Sequence, residues 1–569
     1  MREEKWVVSA KRADFQKIGQ EYGIDPVIAR LIRNREVQGS EQIDQYLNGK
    51  VEDLPSPWLF KDMEKAVNLI EAKIRQRKLI RIIGDYDIDG VVSTYILLRG
   101  LDRLKAKVDT YIPDRVADGY GIHLPLIEKA LEDGIDTILT CDNGIAAYNE
   151  IVYAKERGLT VIVTDHHEVP FTKKADEKEE VLPPADAIVN PKQRNCSYPN
   201  KNLCGAAVAY KLILALYERY GIPKAEGEEF IELAAIATVG DVMDLQGENR
   251  VLVKEGLKRL ENTWNLGLRE LIRANGLEDK KITAYHIGFV IGPCLNASGR
   301  LDTAARSLEL LKSQDVKEAA RLAGDLLAIN QSRKALTAQG VEQAVETTSL
   351  REDRVLVVYL PDCHESLAGI IAGRLRERYY RPVLVLTKGE QCVKGSGRSI
   401  EAYSMFESLI ECKELMIQYG GHPMAAGLSM EEENVPRLRK QLNEKCKLTK
   451  EDLCPKITID VAMPFSYIRR ELVEQLDLLE PFGKGNPKPV FAQKGVRVLE
   501  CRVFGQNRNV VKMQAVTEDG CGMDAVYFGE AEPFLDRASQ NEPLSVTYYP
   551  AINRYQGREK LQVIIQNYR

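Results

Sequence analysis

The stretch Leu79-Ile-Arg-Ile-Ile-Gly-Asp-Tyr-Asp-Ile-Asp-Gly90 decides the fold, because it joins a short apolar strand to three closely spaced aspartates, and an apolar helical stretch follows. Asp85, Asp87 and Asp89 repel one another unless a hard divalent cation neutralises them. A calcium-binding EF-hand loop also begins with this spacing, but its twelfth position requires glutamate and here is Ile96. The motif therefore predicts a metal site where a strand of an α/β sheet ends.

Two further apolar strands end in side chains of the same kind. Asp142 ends one of them, and the Asp-His-His sequence at 165–167 ends the other. Asp241 follows a helix-like segment rich in Ala, and Asp244 competes with it for the same role. In open α/β sheets functional groups gather at the carboxyl ends of strands, near the point where the strand order reverses. We therefore expect these groups to form one site.

In this order and spacing, Asp-x-Asp-x-Asp-Gly, Asp-Asn-Gly, Asp-His-His and Gly-Asp resemble the four motifs of the DHH phosphoesterase superfamily. From about residue 45 to the C-terminus, further segments resemble the RecJ exonuclease family. These segments are residues 111–115, 119–121, 292–300, 394–399, 420–427 and 481–487. Each glycine-containing motif is weak alone, whereas the ordered set is specific.

Composition limits the class of protein. A chain of 569 residues exceeds the roughly 250–300 residues at which single cores stop growing, so several domains are expected. It has 11 cysteines without a C-x-x-C pair, no signal-type apolar start and no membrane-length apolar run, which predicts a cytoplasmic protein without membrane contact. The net charge of −5 argues against a protein that coats DNA, so positive charge must be concentrated in a groove.

The fold class predicted is α/β, because apolar strands alternate with helical stretches. We expect a parallel-sheet DHH domain, a long helix leading to a second α/β domain, and a C-terminal β-barrel of the OB-fold type. The predicted segments are a helical lead-in at 1–50, the DHH domain at 51–310, a connector helix at 311–348, a DHH-associated substrate-binding domain at 349–452 and the OB-fold domain at 453–569. The charged segment 172–180 is predicted to be a solvated surface insertion.

Phosphodiester hydrolysis needs an activated water and positive charge near the phosphate, which two metals about 3.5–4 Å apart supply. Asp142 lies between the first and third motifs and is the expected bridging ligand, with a catalytic role. His167 is the second expected catalytic residue, through phosphate contact or protonation of the leaving group. The expected metal ligands are Asp85, Asp87, Asp89, Asp142, His166 and Asp241. Carboxylate and imidazole ligands favour Mn²⁺, with Mg²⁺ as a substitute.

Substrate contacts are expected from glycine-rich turns whose backbone N–H groups reach phosphate, supported by arginine. The sequence around Ser396 and Arg398 has that composition. The resemblance implies that these two residues, assisted by Arg115, bind the 5′-terminal phosphate. It also implies that Asn296 and Arg300 contact the strand near the scissile bond.

Three further substrate contacts are expected. Gly421 and His422 would close the site from the second domain, with a plain helix N-terminus as the alternative. Tyr120, between two glycines, either stacks on an unpaired base or belongs to the core.

Two segments depart from the family pattern: Cys294 stands where relatives often have arginine, and residues 362–366 replace a Trp-His-x-Gly sequence.

The resemblance implies an exonuclease that degrades single-stranded DNA from its 5′ end to mononucleotides, in DNA repair and recombination. Single-stranded DNA is the expected partner, with single-strand-binding protein and a helicase as further candidates, and a monomer is expected. One alternative is an oligoribonuclease or cyclic-dinucleotide phosphodiesterase of the same superfamily, although those relatives are shorter and lack the barrel. The other is a non-catalytic replication scaffold, which loss of the motif carboxylates would mark; all are present here.

Overall fold

The computed structural model describes residues 4–115, 121–174, 177–347, 353–540 and 542–569. Tyr120 lies outside the described residues. The chain divides into two compact units. One combines residues 54–243 and 252–453, and the other combines residues 1–53, 244–251 and 454–569.

The strands are β1 (Lys5–Val8), β2 (Leu79–Ile83), β3 (Lys107–Tyr111), β4 (Thr137–Cys141), β5 (Thr160–Thr164), β6 (Phe171–Lys174), β7 (Glu177–Glu180), β8 (Ala187–Val189), β9 (Leu356–Tyr359), β10 (Val383–Lys388), β11 (Val393–Arg398), β12 (Gln418–His422), β13 (Ala425–Met430), β14 (Lys456–Ile459), β15 (Phe491–Phe504), β16 (Val510–Val516), β17 (Gly522–Phe528), β18 (Leu544–Tyr555) and β19 (Arg558–Tyr568).

The α-helices are α1 (Phe15–Tyr22), α2 (Pro26–Asn34), α3 (Gly39–Asn48), α4 (Met63–Arg75), α5 (Ile88–Arg103), α6 (Leu124–Glu132), α7 (Tyr148–Glu156), α8 (Gly205–Arg219), α9 (Lys224–Glu228), α10 (Ile231–Gly240), α11 (Gly247–Leu260), α12 (Leu266–Ala274), α13 (Ala284–His286), α14 (Gly292–Leu301), α15 (Ala305–Lys312), α16 (Val316–Thr347), α17 (Ala368–Tyr379), α18 (Met405–Ile410), α19 (Val435–Glu444), α20 (Arg470–Gln475) and α21 (Ala531–Ala538). None of the helices described is long and apolar enough to cross a membrane.

A parallel five-stranded sheet, in the order β3-β2-β4-β5-β8, forms the centre of the first unit. The predicted parallel α/β architecture is confirmed. From β2 the chain continues to β3 on one side and to β4 on the other, so the strand order reverses at β2. The carboxyl ends of β2 and β4 therefore border the crevice where α/β sheets bind ligands.

Two buried helices support this edge of the sheet. Helix α5 leaves directly from β2 and is buried along almost its whole length, and α10 is equally apolar. Helix α10 contains one carboxyl, Glu232, which is fully buried. Its Oε1 accepts a hydrogen bond from the Thr263 hydroxyl (2.6 Å), and its Oε2 has no hydrogen-bond partner among the described residues. Burial raises the pKa of Glu232 to about 7, from 4.5 for an exposed glutamate.

Glu232→Gln is therefore expected to stabilise the protein at alkaline pH. Below pH 4.5 both the folded and the unfolded state are protonated; between pH 4.5 and 7 only the unfolded state ionises, so stability falls as pH rises. The variant should raise the free energy of unfolding by about 3 kcal/mol at pH 8, with almost no effect at pH 4.5. Urea unfolding at both pH values tests this, with the exposed Glu261→Gln as control. An equal effect at both pH values would contradict it.

Helix α16 links the first sheet to a second one. The sequence predicted a connector helix at 311–348, and the structure has α16 there, which packs against α12 and α14. The second sheet has the order β12-β13-β11-β10-β9, with β9 and β10 parallel and the other pairs antiparallel. The second α/β domain predicted from the sequence is thus confirmed.

The prediction of a glycine-rich turn around Ser396 is wrong, because this segment is β11, the central strand of the second sheet. It pairs with β10 on one side and β13 on the other. Its backbone N–H groups serve the sheet instead of cradling phosphate. Side chains on one face of the strand must therefore provide the contacts.

In the other unit, β15, β16, β17, β19 and β18 form a closed barrel, so the predicted C-terminal barrel is confirmed. The prediction of a purely helical lead-in is wrong in one respect, since β1 pairs in parallel with β14 next to the barrel. Helix α2 buries Ile28 and Leu31 in the same core as Phe491 and Tyr548 of the barrel. The lead-in therefore belongs to the barrel unit. In the first unit, the predicted insertion at 172–180 includes most of the antiparallel hairpin β6–β7.

Candidate metal centre and substrate cleft

Three aspartates occupy the turn between β2 and α5. Asp87 caps α5, because its Oδ1 accepts hydrogen bonds from the backbone N–H groups of Asp89 (2.9 Å) and Gly90 (3.1 Å). Asp89, in the first turn of the helix, is fully buried, and Asp85 is nearly so. The end of the strand and the start of the helix thus bring three carboxylates together.

The first turn of α8 binds one of these carboxylates. The N–H of Gly205 donates to Asp89 Oδ2 (2.6 Å) and the N–H of Ala206 donates to Asp89 Oδ1 (2.7 Å). The positive end of a helix stabilises an anion in this position. A Cβ on Gly205 would lie 2.7 Å from Asp142 Cβ, so glycine is required for this close approach. The start of α8 therefore holds Asp89 beside Asp142.

Asp142 lies at the centre of the cluster. It follows β4 with a φ of 62°, in the left-handed region that aspartate tolerates better than most residues. His166 Nε2, from the end of β5, lies 3.0 Å from Asp142 Oδ1. The same nitrogen lies 3.6 Å from Asp89 Oδ2 and 3.8 Å from Asp241 Oδ2.

Three overlapping groups of potential metal ligands meet at this edge of the sheet, each with ligand atoms within 4.8 Å of one another. The groups are Asp85 with Asp87 and Asp142, Asp142 with His166 and His167, and Asp89 with His166 and Asp241. Asp142 belongs to the first and second groups. The structure thus brings all six residues of the expected metal-ligand set together.

The carboxylates destabilise one another in the absence of a cation. Burial, together with the charge of Asp87, raises the pKa of Asp85 to about 8. Burial and the charge of Asp89 raise the pKa of Asp142 well above its ordinary value. Burial lowers the pKa of His166, which favours the neutral imidazole that binds metals.

The site fits a pair of divalent cations. Asp85 Oδ1 is buried and has no hydrogen-bond partner among the described residues, so it has an unfilled capacity to bind a cation. Five carboxylates and one imidazole are oxygen-rich ligands of the kind that Mn²⁺ and Mg²⁺ take, and none of the six is a cysteine. Asp142 and His166 each belong to two of the three groups, so either side chain would lie between two ions bound there.

Asp165 has a function that sequence reasoning did not assign to it. Its Oδ1 accepts a hydrogen bond from His167 Nδ1 (2.8 Å), and its Oδ2 accepts one from the N–H of Ile145 (2.9 Å). Burial alone would lower the pKa of His167, but the hydrogen bond and charge of Asp165 raise it to about 9. Asp165 thus fixes the orientation of the His167 ring and leaves Nε2 as its remaining nitrogen. Its position in the Asp-His-His sequence at 165–167 was the sequence feature from which this role could have been inferred.

A cleft of about 1090 Å³ opens next to the carboxylates. Tyr86, between Asp85 and Asp87 in sequence, lines it at one end, and Ser396 and Arg398 of β11 line it further along. We call it the substrate cleft; its other lining residues include Arg115, Arg300, Gly369, Lys394, Gln418, Gly427 and Ser429.

Ser396 and Arg398 face the N-terminus of α17. Arg398 Nη1 donates to Ser396 Oγ (3.2 Å), and a Cβ on Gly369 would lie 2.8 Å from both Ser396 Oγ and Arg398 Nη2. A 3₁₀ turn at Glu365–Leu367 leads directly into α17, and the N–H of Ala368 donates to the carbonyl of Glu365. Burial, and then the charge of Arg376, lowers the pKa of Arg398. The guanidinium of Arg398 and the hydroxyl of Ser396 here form a candidate phosphate-binding group.

Arg115 and Arg300 line the cleft on the side of the carboxylates. Arg115 lies over the Tyr86 ring, 5.0 Å from its centroid. Arg300 Nη1 donates to the carbonyl of Ser366 (2.9 Å), while the Ser366 hydroxyl donates to the carbonyl of Arg300 (2.8 Å). Burial and the charge of Arg115 lower the pKa of Arg300 to about 10.

Asn296 supports the turn between β2 and α5, which carries the three aspartates. Its Oδ1 accepts a hydrogen bond from the N–H of Ile88, the first residue of α5 (2.8 Å). Cys294, one of the two departures from the family pattern, is fully buried on the same helix, and its Sγ accepts a hydrogen bond from Asn330 (3.3 Å). The segment 362–366 is the other departure from the family pattern, and within it His364 and Ser366 form the tight turn before α17.

Gly421 and His422 lie in the exposed edge strand β12, so the alternative of a helix N-terminus is wrong. The register pairs His422 with Ala425, which is paired with Arg398, so these three residues share one face of the sheet. Gly421 faces the other side. Neither Gly421 nor His422 is among the described residues that line the substrate cleft.

The fold and site define a class of phosphoesterase. The DHH family, N-terminal domain, matches residues 79–238, and the DHHA1 domain matches residues 352–448. A third model, the RecJ OB domain, matches residues 459–567.

Full-length relatives narrow the class. The single-stranded-DNA-specific exonuclease RecJ of Bacillus subtilis (strain 168) is 36% identical over 570 residues, which covers 99% of this chain and 70% of the relative. The protein of the same name from Haemophilus influenzae is 32% identical, covering 96% of this chain and 97% of the relative. The crystal structure of RecJ in complex with Mn²⁺ from Thermus thermophilus superposes with a TM-score of 0.84 at 30% identity, covering 99% of this chain and 79% of that one. The same relative was also crystallised with Mg²⁺. The chain belongs to the RecJ family.

Proposed function

We propose that this protein is a metal-dependent exonuclease that degrades single-stranded DNA from its 5′ end to mononucleotides. The observation that carries the proposal is the position of the cluster around Asp142 beside a cleft with a phosphate-binding group at Ser396 and Arg398. A site with a phosphate anchor at a fixed distance from the reacting centre cuts at a fixed distance from a chain end. The names of the two relatives support single-stranded DNA as the substrate.

The six residues grouped around Asp142 would hold two divalent cations, Mn²⁺ in preference to Mg²⁺. The cations supply an activated water and positive charge beside the phosphate oxygens. Ser396 and Arg398, assisted by Arg115, bind the 5′-phosphate, which orients the terminal nucleotide. Asn296 and Arg300 contact the strand near the scissile bond.

In the reaction, the oxygen of water bonds to phosphorus and the bond from phosphorus to the 3′ oxygen of the terminal nucleotide breaks. His167, oriented by Asp165, is placed to donate a proton to that leaving oxygen. The products are a 5′-mononucleotide and a strand that again carries a 5′-phosphate, so the same groups can bind it for the next cycle.

We extend the proposal to domains and setting. The domain boundaries are those predicted from the sequence, with the lead-in joined to the barrel unit. The barrel supplies a surface for single-stranded DNA, as OB-folds do. We place the protein in the cytoplasm, as a monomer that acts in DNA repair and recombination together with single-strand-binding protein and a helicase.

The alternatives have less support. A phosphodiesterase of small oligonucleotides needs no barrel, whereas here the RecJ OB model matches residues 459–567. A non-catalytic scaffold would not need the clustered ligands, whereas here they lie within 4.8 Å of one another in each group.

Arg398→Ala is expected to lower kcat/KM on 5′-phosphorylated single-stranded DNA by about 10–100-fold, because one charge-assisted phosphate contact contributes about 1.5–3 kcal/mol. Steady-state degradation assays measure this. Arg374→Ala, an exposed arginine on the same helix as Gly369, is the matched control and should behave as the wild type. Equal kcat/KM values for the two variants would contradict the phosphate role.

A time course on 5′- and 3′-labelled oligonucleotides, single-stranded and duplex, DNA and RNA, with Mn²⁺ and then with EDTA, tests the proposed function. We expect the 5′ label to appear as mononucleotide, from single-stranded DNA, and only with metal. Earlier release of the 3′ label, or activity confined to oligonucleotides of two to five residues, would overturn the proposal.

A further inference from the structure

The substrate cleft continues beyond the phosphate-binding group. A cleft of about 1090 Å³ lies at the upper end of the roughly 300–1,000 Å³ of sites that enclose one drug-sized ligand. On β11, Arg398 lies at the end that faces the carboxylates, since its guanidinium feels the charge of Arg115. Lys394 lies at the opposite end of the strand and also lines the cleft. Space therefore exists on the far side of Ser396.

The register of the second sheet orders the floor of the cleft into rows. Ser396 is paired with Gly427, which is paired with Gly420, and this row has little side-chain bulk. The next row consists of Lys394, Ser429 and Gln418, paired in the same way on β11, β13 and β12. Residues two apart on a strand face the same side and lie about 6.7 Å apart. The second row is thus one step along the same face, near the separation of successive phosphates in an extended strand.

Lys394 is available to a ligand. Its ammonium group makes no hydrogen bond or ion pair within the part of the chain that the structure describes, and its side chain is exposed to the cleft. Two carboxylates, Glu365 and Glu390, also line this end. With Lys394 they leave this end with a net negative charge of about one, which suits a terminal nucleoside without a 5′-phosphate and disfavours a polyphosphate.

We propose that Lys394, Ser429 and Gln418 form a second subsite, which binds the nucleotide unit on the 5′ side of the phosphate held by Ser396 and Arg398. This inference rests on the proposed function and adds to it a binding position for one further nucleotide. A strand with a 5′-hydroxyl has no terminal phosphate for Ser396 and Arg398. It places a phosphate there only by moving one nucleotide further in, so its terminal nucleoside occupies the second subsite.

The chemistry of the first cut is unchanged, but its product is longer. The oxygen of water bonds to phosphorus, and the bond to the 3′ oxygen of the second nucleotide breaks, with the proton going to that oxygen. The product is a dinucleotide with free 5′ and 3′ hydroxyls. The remaining strand carries a 5′-phosphate, so every later product is a mononucleotide.

Mass spectrometry of the earliest products from matched 5′-hydroxyl and 5′-phosphate strands, with the full chain and Mn²⁺, tests the subsite. We expect a dinucleotide from the hydroxyl strand and mononucleotide from the phosphate strand. In Lys394→Ala combined with Gln418→Ala, the rate on the hydroxyl strand relative to the phosphate strand should fall by about tenfold, as expected for lost polar contacts. Lys388→Ala, an exposed lysine on β10 outside the cleft lining, should leave that ratio unchanged.

A free nucleoside as first product from the hydroxyl strand would overturn the second subsite, and so would a rate ratio unchanged in the double variant. Failure of the proposed function is a separate result, because it would appear as the absence of mononucleotide from the phosphate strand. A 5′-triphosphate strand cut as fast as the monophosphate strand would also contradict the net negative charge at this end of the cleft.

Discussion

Asp142→Asn is expected to lower kcat on single-stranded DNA by about 10³–10⁴-fold, because the variant loses the carboxylate that belongs to two groups of metal ligands. Asparagine tolerates the left-handed backbone at this position, whereas alanine would add strain. The fold should therefore remain intact. Single-turnover hydrolysis with saturating Mn²⁺ measures the effect.

Stability gives an independent check on the same variant. Without metal, Asp142→Asn should raise the melting temperature, since it removes one buried charge from a group of mutually repelling carboxylates. Asp136→Asn is the matched control. Asp136 comes directly before the first residue of the same strand, β4, at the end away from the cluster, and forms an ion pair with Lys73. Wild-type kcat in Asp142→Asn with metal bound would contradict the bridging assignment.

Gly205→Ala is expected to have the second largest effect. Its Cβ would lie 2.7 Å from Asp142 Cβ and 2.9 Å from Asp142 Oδ1, so either the aspartate or the start of α8 must move. Such overpacking costs about 1–3 kcal/mol, and a displacement of about 1 Å at a catalytic group can lower the rate by about 100-fold. Urea unfolding and kcat measured on the same preparation test both parts.

Gly324→Ala is the control for this substitution. Gly324 lies inside α16, and a Cβ there would have no atom within 4 Å. Alanine should stabilise that helix by about 0.5–1 kcal/mol and leave kcat unchanged. If Gly205→Ala behaved like Gly324→Ala, the close approach of α8 to Asp142 would not matter to the site.

The clustering of the six expected metal ligands was predictable because its signals are local. An apolar run ending in Asp85 or in Asp142 identifies both a strand and the polar groups at its carboxyl end. Parallel strands place those ends at one edge, so separate motifs converge without any knowledge of the tertiary contacts. The same local logic predicted the second α/β domain and the C-terminal barrel.

What supports the ligands was not predictable, because it depends on contacts between distant parts of the chain. The helix that binds Asp89 begins at Gly205, and no local pattern relates the two residues. Likewise, the strand β1 pairs with β14, some 450 positions further along. The role of Asp165 was not predictable either, because it depends on the direction in which the His167 ring points.

The glycines of β11 misled the prediction for a different reason. Glycine normally weakens strands and favours turns, so the sequence around Ser396 predicted a turn. In the structure, a Cβ on Gly395 would lie 2.6 Å from Leu386 Cδ2 and 2.9 Å from Leu428 Cγ. The residue is glycine because neighbouring side chains pack across it, a constraint that no sequence pattern reveals.

The central claim is that two divalent cations bind through one shared aspartate. Equilibrium dialysis of the full chain against Mn²⁺, with the bound metal measured by elemental analysis, tests this most directly. We expect two ions per chain in the wild type and a loss of at least one in Asp142→Asn, with Asp136→Asn unchanged. One ion per wild-type chain, or two ions bound equally well by Asp142→Asn, would contradict the claim.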